Sequence, residues 1–235
     1  DFFNREIKKD AKGNEYSWHY KWEEKNHGGY YALGQQFESF GAKTDSLSVA
    51  PTASNLANAS IYIIVDPDTE KETPKPNFIK SEDIKNISDW VKRGGVLVML
   101  GNDFGNCEYE NWNNLAKAFG VEVNKDSKNR VVNDVYEQGR VTVGDNNQIF
   151  KNARDLYMKE ISTLKITGKA QTILTLNNEP IIATVNYGKG TVFILSDPWL
   201  YNEYVDGRKM NGLFQNFEAA RELSAWLLLR ANSKR

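Results

Sequence analysis

Two stretches decide the fold, Ile61–Asp68 (IYIIVDPD) and Val96–Asp103 (VLVMLGND). Each opens with five consecutive apolar residues, which is typical of a strand buried on both faces of a parallel sheet. Between them, Ser81 is a candidate N-cap followed by two acidic residues, and the pair Gly94-Gly95 ends the predicted helix. Strand, helix and strand in this order predict a doubly wound α/β fold.

The segments on either side extend this pattern. Apolar residues at spacings of three and four predict helices over Gly29–Gly41 and Trp112–Gly120, with short strands at Thr44–Val49 and Val121–Val123. The second half contains short strands separated by turns with Gly and Asn, which predicts antiparallel pairing. These strands are Arg130–Val143, Gln171–Leu176, Ile181–Asn186 and Thr191–Leu195, with turns at Asn177-Asn178 and Gly188-Lys189-Gly190. A closing helix is expected from about Met210 to Arg230, with Leu213, Phe217, Ala220, Ser224 and Leu227 on one face.

The composition fits one globular unit. Of the 235 residues, 40% are hydrophobic and 26% are charged, which is enough apolar material for a core. Because no Pro-, Ser- or Gly-rich stretch divides the chain, we predict a single α/β domain over residues 1–235. Its sheet is expected to be mostly parallel in the N-terminal half, with antiparallel strands in the C-terminal half.

Charge and hydropathy exclude several partners. Thirty basic and 31 acidic residues give a net charge of −1, and no basic run provides the footprint that nucleic acid or an anionic membrane requires. The longest apolar runs are far shorter than the roughly 20 residues that span a bilayer. One cysteine, Cys107, excludes an internal disulfide and a multi-cysteine metal site.

Three predicted strands each end in an acidic, turn-rich segment. Ligands bind beyond the carboxyl ends of the strands in an open parallel sheet, so these segments converge on one cleft if the strands are parallel neighbours. The polar candidates are Asp66, Asp68, Asn102, Asp103, Asn106, Glu108, Asp197, Asn202 and Glu203. The aromatic and basic candidates are Trp199, Tyr201, Tyr204 and Arg208. His19 and Trp22 belong to an aromatic segment that either packs over the end of the sheet or forms a lid of the cleft.

These residue types suit carbohydrate. Carboxylates and amides bind sugar hydroxyls, and flat aromatic rings take the apolar side of a pyranose. Glycoside hydrolysis needs two carboxylates, for which Asp103, Asp197 and Glu203 are the catalytic candidates. The alternative is that the same segments are solvated turns and helix caps without a ligand.

The carboxylates of the predicted cleft would repel an acidic sugar. Arg140, Arg208 or Lys209 offsets this repulsion, or a divalent cation such as calcium bridges the protein and the sugar acid. No cofactor is otherwise required, and no metal ligand is assigned.

Nucleophilic catalysis finds little support in the sequence. Cys107 lacks the Gly-x-Cys-x-Gly elbow that exposes a thiol at a sharp strand-to-helix turn, and no Gly-x-Ser-x-Gly elbow occurs. The only histidines, His19 and His27, are too few for a typical zinc site.

Five strings carry a family resemblance: Trp18–Glu23 (WHYKWE), Ile63–Thr69 (IIVDPDT), Trp90–Gly95 (WVKRGG), Asn102–Asn106 (NDFGN) and Asp197–Tyr204 (DPWLYNEY). They resemble a region found next to unsaturated rhamnogalacturonyl hydrolase domains in polysaccharide-degrading Gram-negative bacteria. That region looks like a class I glutamine amidotransferase-like, flavodoxin-type domain with a three-layer α/β sheet, a fold also used as a non-catalytic middle domain in some β-galactosidases. The Cys elbow and the later His-x-Glu pair of the amidotransferases are absent, so the resemblance implies their fold and not their activity.

The resemblance implies a pectin or rhamnogalacturonan context and a periplasmic or secreted location. It also implies an acidic oligosaccharide as ligand and an (α/α)-barrel hydrolase domain as partner. Three functions follow as expectations: a domain that binds or helps process pectin-derived oligosaccharides, a glycoside hydrolase in its own right, or a non-catalytic structural or oligomerisation module.

Overall fold

The computed structural model describes residues 1–25, 28–198, 200, 202, 205 and 212–233. Within them lie four α-helices, Tyr31–Ser39 (α1), Ser81–Arg93 (α2), Tyr109–Lys117 (α3) and Asn216–Asn232 (α4). The strands are Ile7–Lys9 (β1), Glu15–Ser17 (β2), Ile61–Val65 (β3), Val96–Leu100 (β4), Val121–Val123 (β5), Arg140–Thr142 (β6), Asp155–Tyr157 (β7), Leu164–Ile166 (β8), Gln171–Leu176 (β9), Glu179–Tyr187 (β10) and Gly190–Leu195 (β11). A short 3-10 helix, Tyr136–Gly139, precedes β6.

A mixed sheet of five strands, in the order β3-β4-β11-β10-β9, forms the centre. Strands β3, β4 and β11 run parallel, and β10 and β9 continue the sheet antiparallel. The predicted parallel pairing of the two apolar strands and the antiparallel pairing near the C-terminus are therefore confirmed. The carboxyl ends of β3, β4 and β11 lie together at one edge of this sheet, which we call the strand-end edge.

Helices cover both faces of the sheet. Val98 of β4 packs in the cluster that includes Leu223 of α4, and α1 contributes to the same cluster. The next residue, Met99, packs in a separate cluster with Trp112 of α3, to which α2 also contributes. Because successive side chains of a strand point to opposite faces, an unbroken apolar run is required here.

Two tight turns connect the antiparallel strands. Asn177 and Asn178 have φ of 50° and 68°, the left-handed pair that a two-residue hairpin needs between β9 and β10. Gly188, with φ of 60°, begins the turn between β10 and β11. Both predicted turns are confirmed.

The strand predicted at Thr44–Val49 is absent from this fully described stretch. Only Leu47 packs against a core cluster, and Val49 is 55% exposed. With so little apolar surface to bury, the segment gains nothing from joining the sheet edge.

The strand predicted over Arg130–Val143 is reduced to the three residues of β6. Asn133 and Asp134, both with φ of 54°, interrupt the extended conformation. Left-handed residues end a strand because they turn the backbone away from its neighbour.

The closing helix begins later than expected. It starts at Asn216, whose Oδ1 accepts a hydrogen bond from the Tyr157 N–H at 2.8 Å. Leu213 and Phe217 are 54% and 49% exposed, so the predicted apolar face is wrong at these two positions. Its members Ala220, Ser224 and Leu227 are buried as expected. None of the helices in the described ranges is long and apolar enough to span a bilayer.

Candidate functional site

The segments that follow β3, β4 and β11 meet at the strand-end edge. The Asn102 side-chain amide donates a hydrogen bond to Asp66 Oδ2 at 3.1 Å, and Ser196 Oγ donates to the Asn102 carbonyl at 2.5 Å. These three residues each follow a different strand of the parallel set. The convergence predicted for the three segments therefore occurs.

Gly101 allows this close approach. A Cβ atom at Gly101 would lie 3.1 Å from Ser196 Oγ and 3.4 Å from the Trp112 ring. The Gly101 N–H donates to the Leu195 carbonyl at 2.8 Å. The glycine thus lets the loop after β4 lie directly on the end of β11.

Asp66 lies at the centre of the network and is only 5% exposed. Its Oδ2 accepts from the Tyr20 hydroxyl at 2.8 Å as well as from Asn102, and its buried Oδ1 has no hydrogen-bond partner among the described residues. Burial is the main cause that raises the pKa of Asp66 well above its ordinary value, and Glu72 and Asp68 add repulsion.

Asp68 stabilises the loop after β3 through hydrogen bonds. Its Oδ2 accepts from the Arg5 N–H at 2.7 Å and from Thr73 Oγ1 at 2.5 Å. The residue is 3% exposed, and burial is the main cause that raises the pKa of its carboxyl. Asp68 therefore acts as an internal acceptor in this structure.

Asp103 and Asn106 close the loop after β4 on itself. Asp103 Oδ1 accepts from the Asn106 amide at 2.6 Å, and the Asp103 N–H donates to Asn102 Oδ1 at 2.9 Å. Asp103 is 5% exposed. A residue so enclosed has little surface to offer a substrate.

Glu108 is the N-cap of α3. Its carboxylate accepts from the backbone N–H groups of Glu110, Asn111 and Trp112 at 2.9 to 3.4 Å. These are the N–H groups that have no partner inside a helix. The predicted ligand-binding residue thus has a local structural use.

A cluster of hydroxyl groups that was not predicted from the sequence contacts the Asn102 carbonyl. Tyr109 Oη lies 2.7 Å from the Asn102 carbonyl and 2.6 Å from Ser162 Oγ. Ser162 in turn donates to the Asp126 carbonyl. Ser196 directly follows a predicted strand, and Tyr20 belongs to the predicted aromatic segment, whereas Tyr109 and Ser162 carried no sequence signal.

The segment after β11 is described only in part. Asp197 and Asn202 are fully buried, and the Pro198 carbonyl accepts from the Tyr30 hydroxyl at 3.3 Å. The remaining site residues predicted on this segment lie outside the described residues: Trp199, Tyr201, Glu203, Tyr204 and Arg208.

Residues Tyr16–Glu23 form the aromatic segment. His19 Nδ1 lies 3.4 Å from Glu6 Oε2, and its ring packs against Trp18 and Tyr20. The Trp22 indole N–H donates to the Asp45 carbonyl at 3.0 Å, and its ring packs towards α1. Both predicted ligand-binding side chains are therefore held by contacts within the protein.

Phe104 and Lys125 form an exposed surface at the strand-end edge, here the Phe104–Lys125 surface. Phe104 is 51% exposed, and its ring meets Tyr109 edge-on with 5.7 Å between centroids. Lys125 Nζ lies 5.9 Å from the Phe104 centroid. None of the ion pairs found among the described residues involves Lys125, whereas Lys128 Nζ lies 3.2 Å from Glu179 Oε2.

Other candidate groups are engaged elsewhere. Arg140 pairs with Glu137 and, at 2.9 Å, with Asp155. Burial raises the pKa of the Cys107 thiol, which keeps it protonated and a poor nucleophile. Within the described ranges, no group of three or more His, Cys, Asp or Glu side chains is placed to hold a metal ion.

No protein-family model and no curated protein matches the chain. Several solved structures are similar. The mmIFT52 N-terminal domain has a TM-score of 0.65 at 19% identity, over 83% of this chain and 88% of that one. A cytoplasmic protein of Salmonella typhimurium, STM3548, has a TM-score of 0.60 at 16% identity over 94% of both chains. STM1381 of Salmonella typhimurium LT2, also titled a cytoplasmic protein, has a TM-score of 0.58 at 17% identity over 98% of this chain and 95% of that one.

These likenesses show a shared fold. A β-galactosidase of Rahnella sp. R3 overlaps with 67% of this chain and 22% of its own, at 17% identity and a TM-score of 0.43. An overlap of that size is too weak to bear on function. Among the described residues, the chain is thus a mixed α/β structure with a five-stranded sheet, whose fold other proteins share.

Proposed function

We propose that the chain is a non-hydrolytic carbohydrate-binding domain that takes acidic, pectin-derived oligosaccharides at the strand-end edge. One contrast carries the proposal. Three carboxyl groups near the strand ends, those of Asp66, Asp68 and Asp103, accept hydrogen bonds inside the protein. Phe104 and Lys125 remain exposed beside them.

The burial of the carboxylates favours binding over hydrolysis. A general acid or base must come within hydrogen-bond distance of the reacting atoms. Asp103 is 5% exposed and Asp197 is fully buried, and Asp103 Oδ1 is occupied by Asn106. Glu203, the third candidate, lies outside the described residues.

The Phe104–Lys125 surface has the two features that a uronate needs. The exposed ring offers an apolar face for the C–H side of a pyranose. The ammonium offers a positive charge for the sugar carboxylate, and Lys supplies it as a mobile point charge. With that charge present, no divalent cation is needed to bridge the protein and the sugar.

The family resemblance supplies the wider setting of the proposal. It implies a three-layer, flavodoxin-like fold of the glutamine amidotransferase class, and unsaturated rhamnogalacturonan fragments as the ligand. It also implies an (α/α)-barrel hydrolase domain as partner and a periplasmic or secreted location, and fractionation of producing cells tests the location.

The proposal is tested by calorimetric titration with unsaturated rhamnogalacturonan oligosaccharides and with neutral oligosaccharides of equal length. We expect Phe104→Ala to weaken binding of the acidic ligand about tenfold and Lys125→Ala about threefold, the latter effect shrinking with added salt. Two variants are matched controls. Phe40→Ala removes an exposed ring at the C-cap of α1, and Lys128→Ala removes a lysine that already pairs with Glu179.

The same mixtures separate the alternatives. Heat of binding that is unchanged by a chelator, without hydrolysis products on chromatography, supports the proposal. Products on chromatography would instead identify a hydrolase. An absence of binding heat, or equal losses of affinity in the test and control variants, would reject binding at this surface. The non-catalytic structural module would then be the remaining function. Loss of binding with chelator would identify a bridging cation.

A further inference from the structure

The aromatic segment is held over the strand ends in a strained conformation. His19 and Tyr20 are consecutive and have φ of 63° and 49°, a region that costs free energy for residues other than Gly. The Tyr20 hydroxyl reaches Asp66 Oδ2 at 2.8 Å, and the ring packs edge-on against Tyr30. The hydrogen bond to Asp66 therefore secures a segment that would relax if released.

The groups around Asp66 disfavour a negative charge there. None of the ion pairs found among the described residues involves Asp66, and one of its carboxyl oxygens is buried without a hydrogen-bond partner among them. The titratable and polar groups that face it from the surrounding elements are Glu72 and Asp68 on its own loop, Tyr20 on the aromatic segment, Asn4 near the N-terminus, and Asn102 and Cys107 on the loop after β4. Asp1, whose Oδ2 accepts from the Val65 N–H, adds a further carboxyl next to this loop.

We propose that Asp66 and Tyr20 form a proton-controlled latch, which holds the aromatic segment closed while Asp66 is protonated and releases it when Asp66 ionises. Opening hydrates the carboxyl and so restores its ordinary acidity. Because the closed state binds the proton more tightly than the open state, rising pH shifts the equilibrium towards opening.

The contacts that favour ionisation of Asp66 change its pKa less than burial does. The hydrogen bonds from Tyr20 and Asn102 lower the pKa of Asp66, but its burial raises it more. The proton is therefore lost at a pH above that of an exposed aspartate. The latch controls access to the strand ends and does not depend on the proposed oligosaccharide, since it acts in the free protein.

Hydrogen exchange read by mass spectrometry tests the latch without any ligand. The exchange rates of peptides covering residues 16–25 are measured at pH 5 and pH 8. Dividing the intrinsic exchange rates at each pH by the measured rates gives the protection factors. We expect the wild-type protection factor to fall at least tenfold at the higher pH. Asp66→Asn keeps an acceptor for Tyr20 without a charge, so it should stay protected at both values.

The control variants make the outcome specific. Tyr20→Phe lacks the latching hydroxyl and should be unprotected at both pH values, whereas Tyr16→Phe, which changes an exposed ring, should behave as wild type. Asp68→Asn removes a like charge and should move the transition to lower pH without abolishing it. Wild-type protection that does not change with pH overturns the latch even if a variant fails to fold, and so does a pH dependence retained in Asp66→Asn.

Discussion

Asp66 shows why the carboxylate that follows β3 points inward. Its φ of 42° is left-handed, and the backbone is fixed on both sides. The Asp66 N–H donates to the Leu100 carbonyl at 2.7 Å, and its carbonyl accepts from the Asn4 amide at 2.7 Å. A backbone so constrained turns the carboxyl under the loops, where desolvation sets its proton affinity.

Replacing Asp66 by Asn should therefore remove part of the pH dependence of stability. The folded-state pKa is raised above the unfolded value of about 3.9, so the folded state binds the proton more tightly. Below about pH 4 this group adds no pH dependence. As pH rises through the folded pKa, the free energy of unfolding falls, by about 1.4 kcal/mol for each unit of difference.

Urea unfolding between pH 4 and pH 8 measures the effect. Asp66→Asn should lose less stability than wild type over this range. The comparison variant is Asp89→Asn, whose exposed carboxyl has a pKa lowered by Lys85. Parallel curves for wild type and Asp66→Asn would refute the assignment.

At the scale of elements, α3 depends on the residue that precedes it. Glu108 caps three backbone N–H groups, and its own N–H donates to the Pro67 carbonyl at 3.0 Å. One residue thus fixes the start of the helix and joins the loops after β3 and β4. A helix of nine residues has little intrinsic stability, so the cap matters.

We expect Glu108→Ala to lower the free energy of unfolding by about 1 to 2 kcal/mol. Glu110→Ala, in the first turn of the same helix, removes only a favourable charge near the helix dipole and should cost about 0.3 kcal/mol. Chemical denaturation of both variants provides the comparison. Equal losses would show that the Glu108 contacts contribute no more than its charge.

At the scale of the whole molecule, the sequence predicts the centre better than the periphery. Strands β3 and β4 are predicted with their observed bounds because a run of five apolar residues, bounded by polar residues or glycines, is typical of a strand with both faces covered. Strands β1 and β2 are three residues long and exposed throughout. Such short, exposed strands leave no periodic pattern in the sequence.

The contacts within the site were also only partly predictable from the sequence, for a different reason. The meeting of the loops after parallel strands follows from topology, and it was predictable. The inward direction of Asp66 depends on Tyr20, 46 positions away, and the support of Asn102 depends on Tyr109 and on Ser162, 53 positions apart. Contacts at such separations become visible only when the fold is known.

The packing of α2 on the sheet yields the last prediction. A Cβ atom at Gly190, the first residue of β11, would lie 2.0 Å from the Val91 carbonyl oxygen and 2.4 Å from that of Gly95. Backbone atoms have no rotamer by which to move aside, so Gly190→Ala must push α2 off the sheet. We expect a loss of about 3 kcal/mol in the free energy of unfolding.

Gly144→Ala is the matched control, because no atom lies within 4 Å of its added Cβ and its φ is not left-handed. It should unfold in urea as wild type does, or slightly later, since alanine restricts the unfolded chain. If Gly190→Ala were as stable as this control, α2 could shift without cost. The close contact between this helix layer and the sheet would then not be a source of stability.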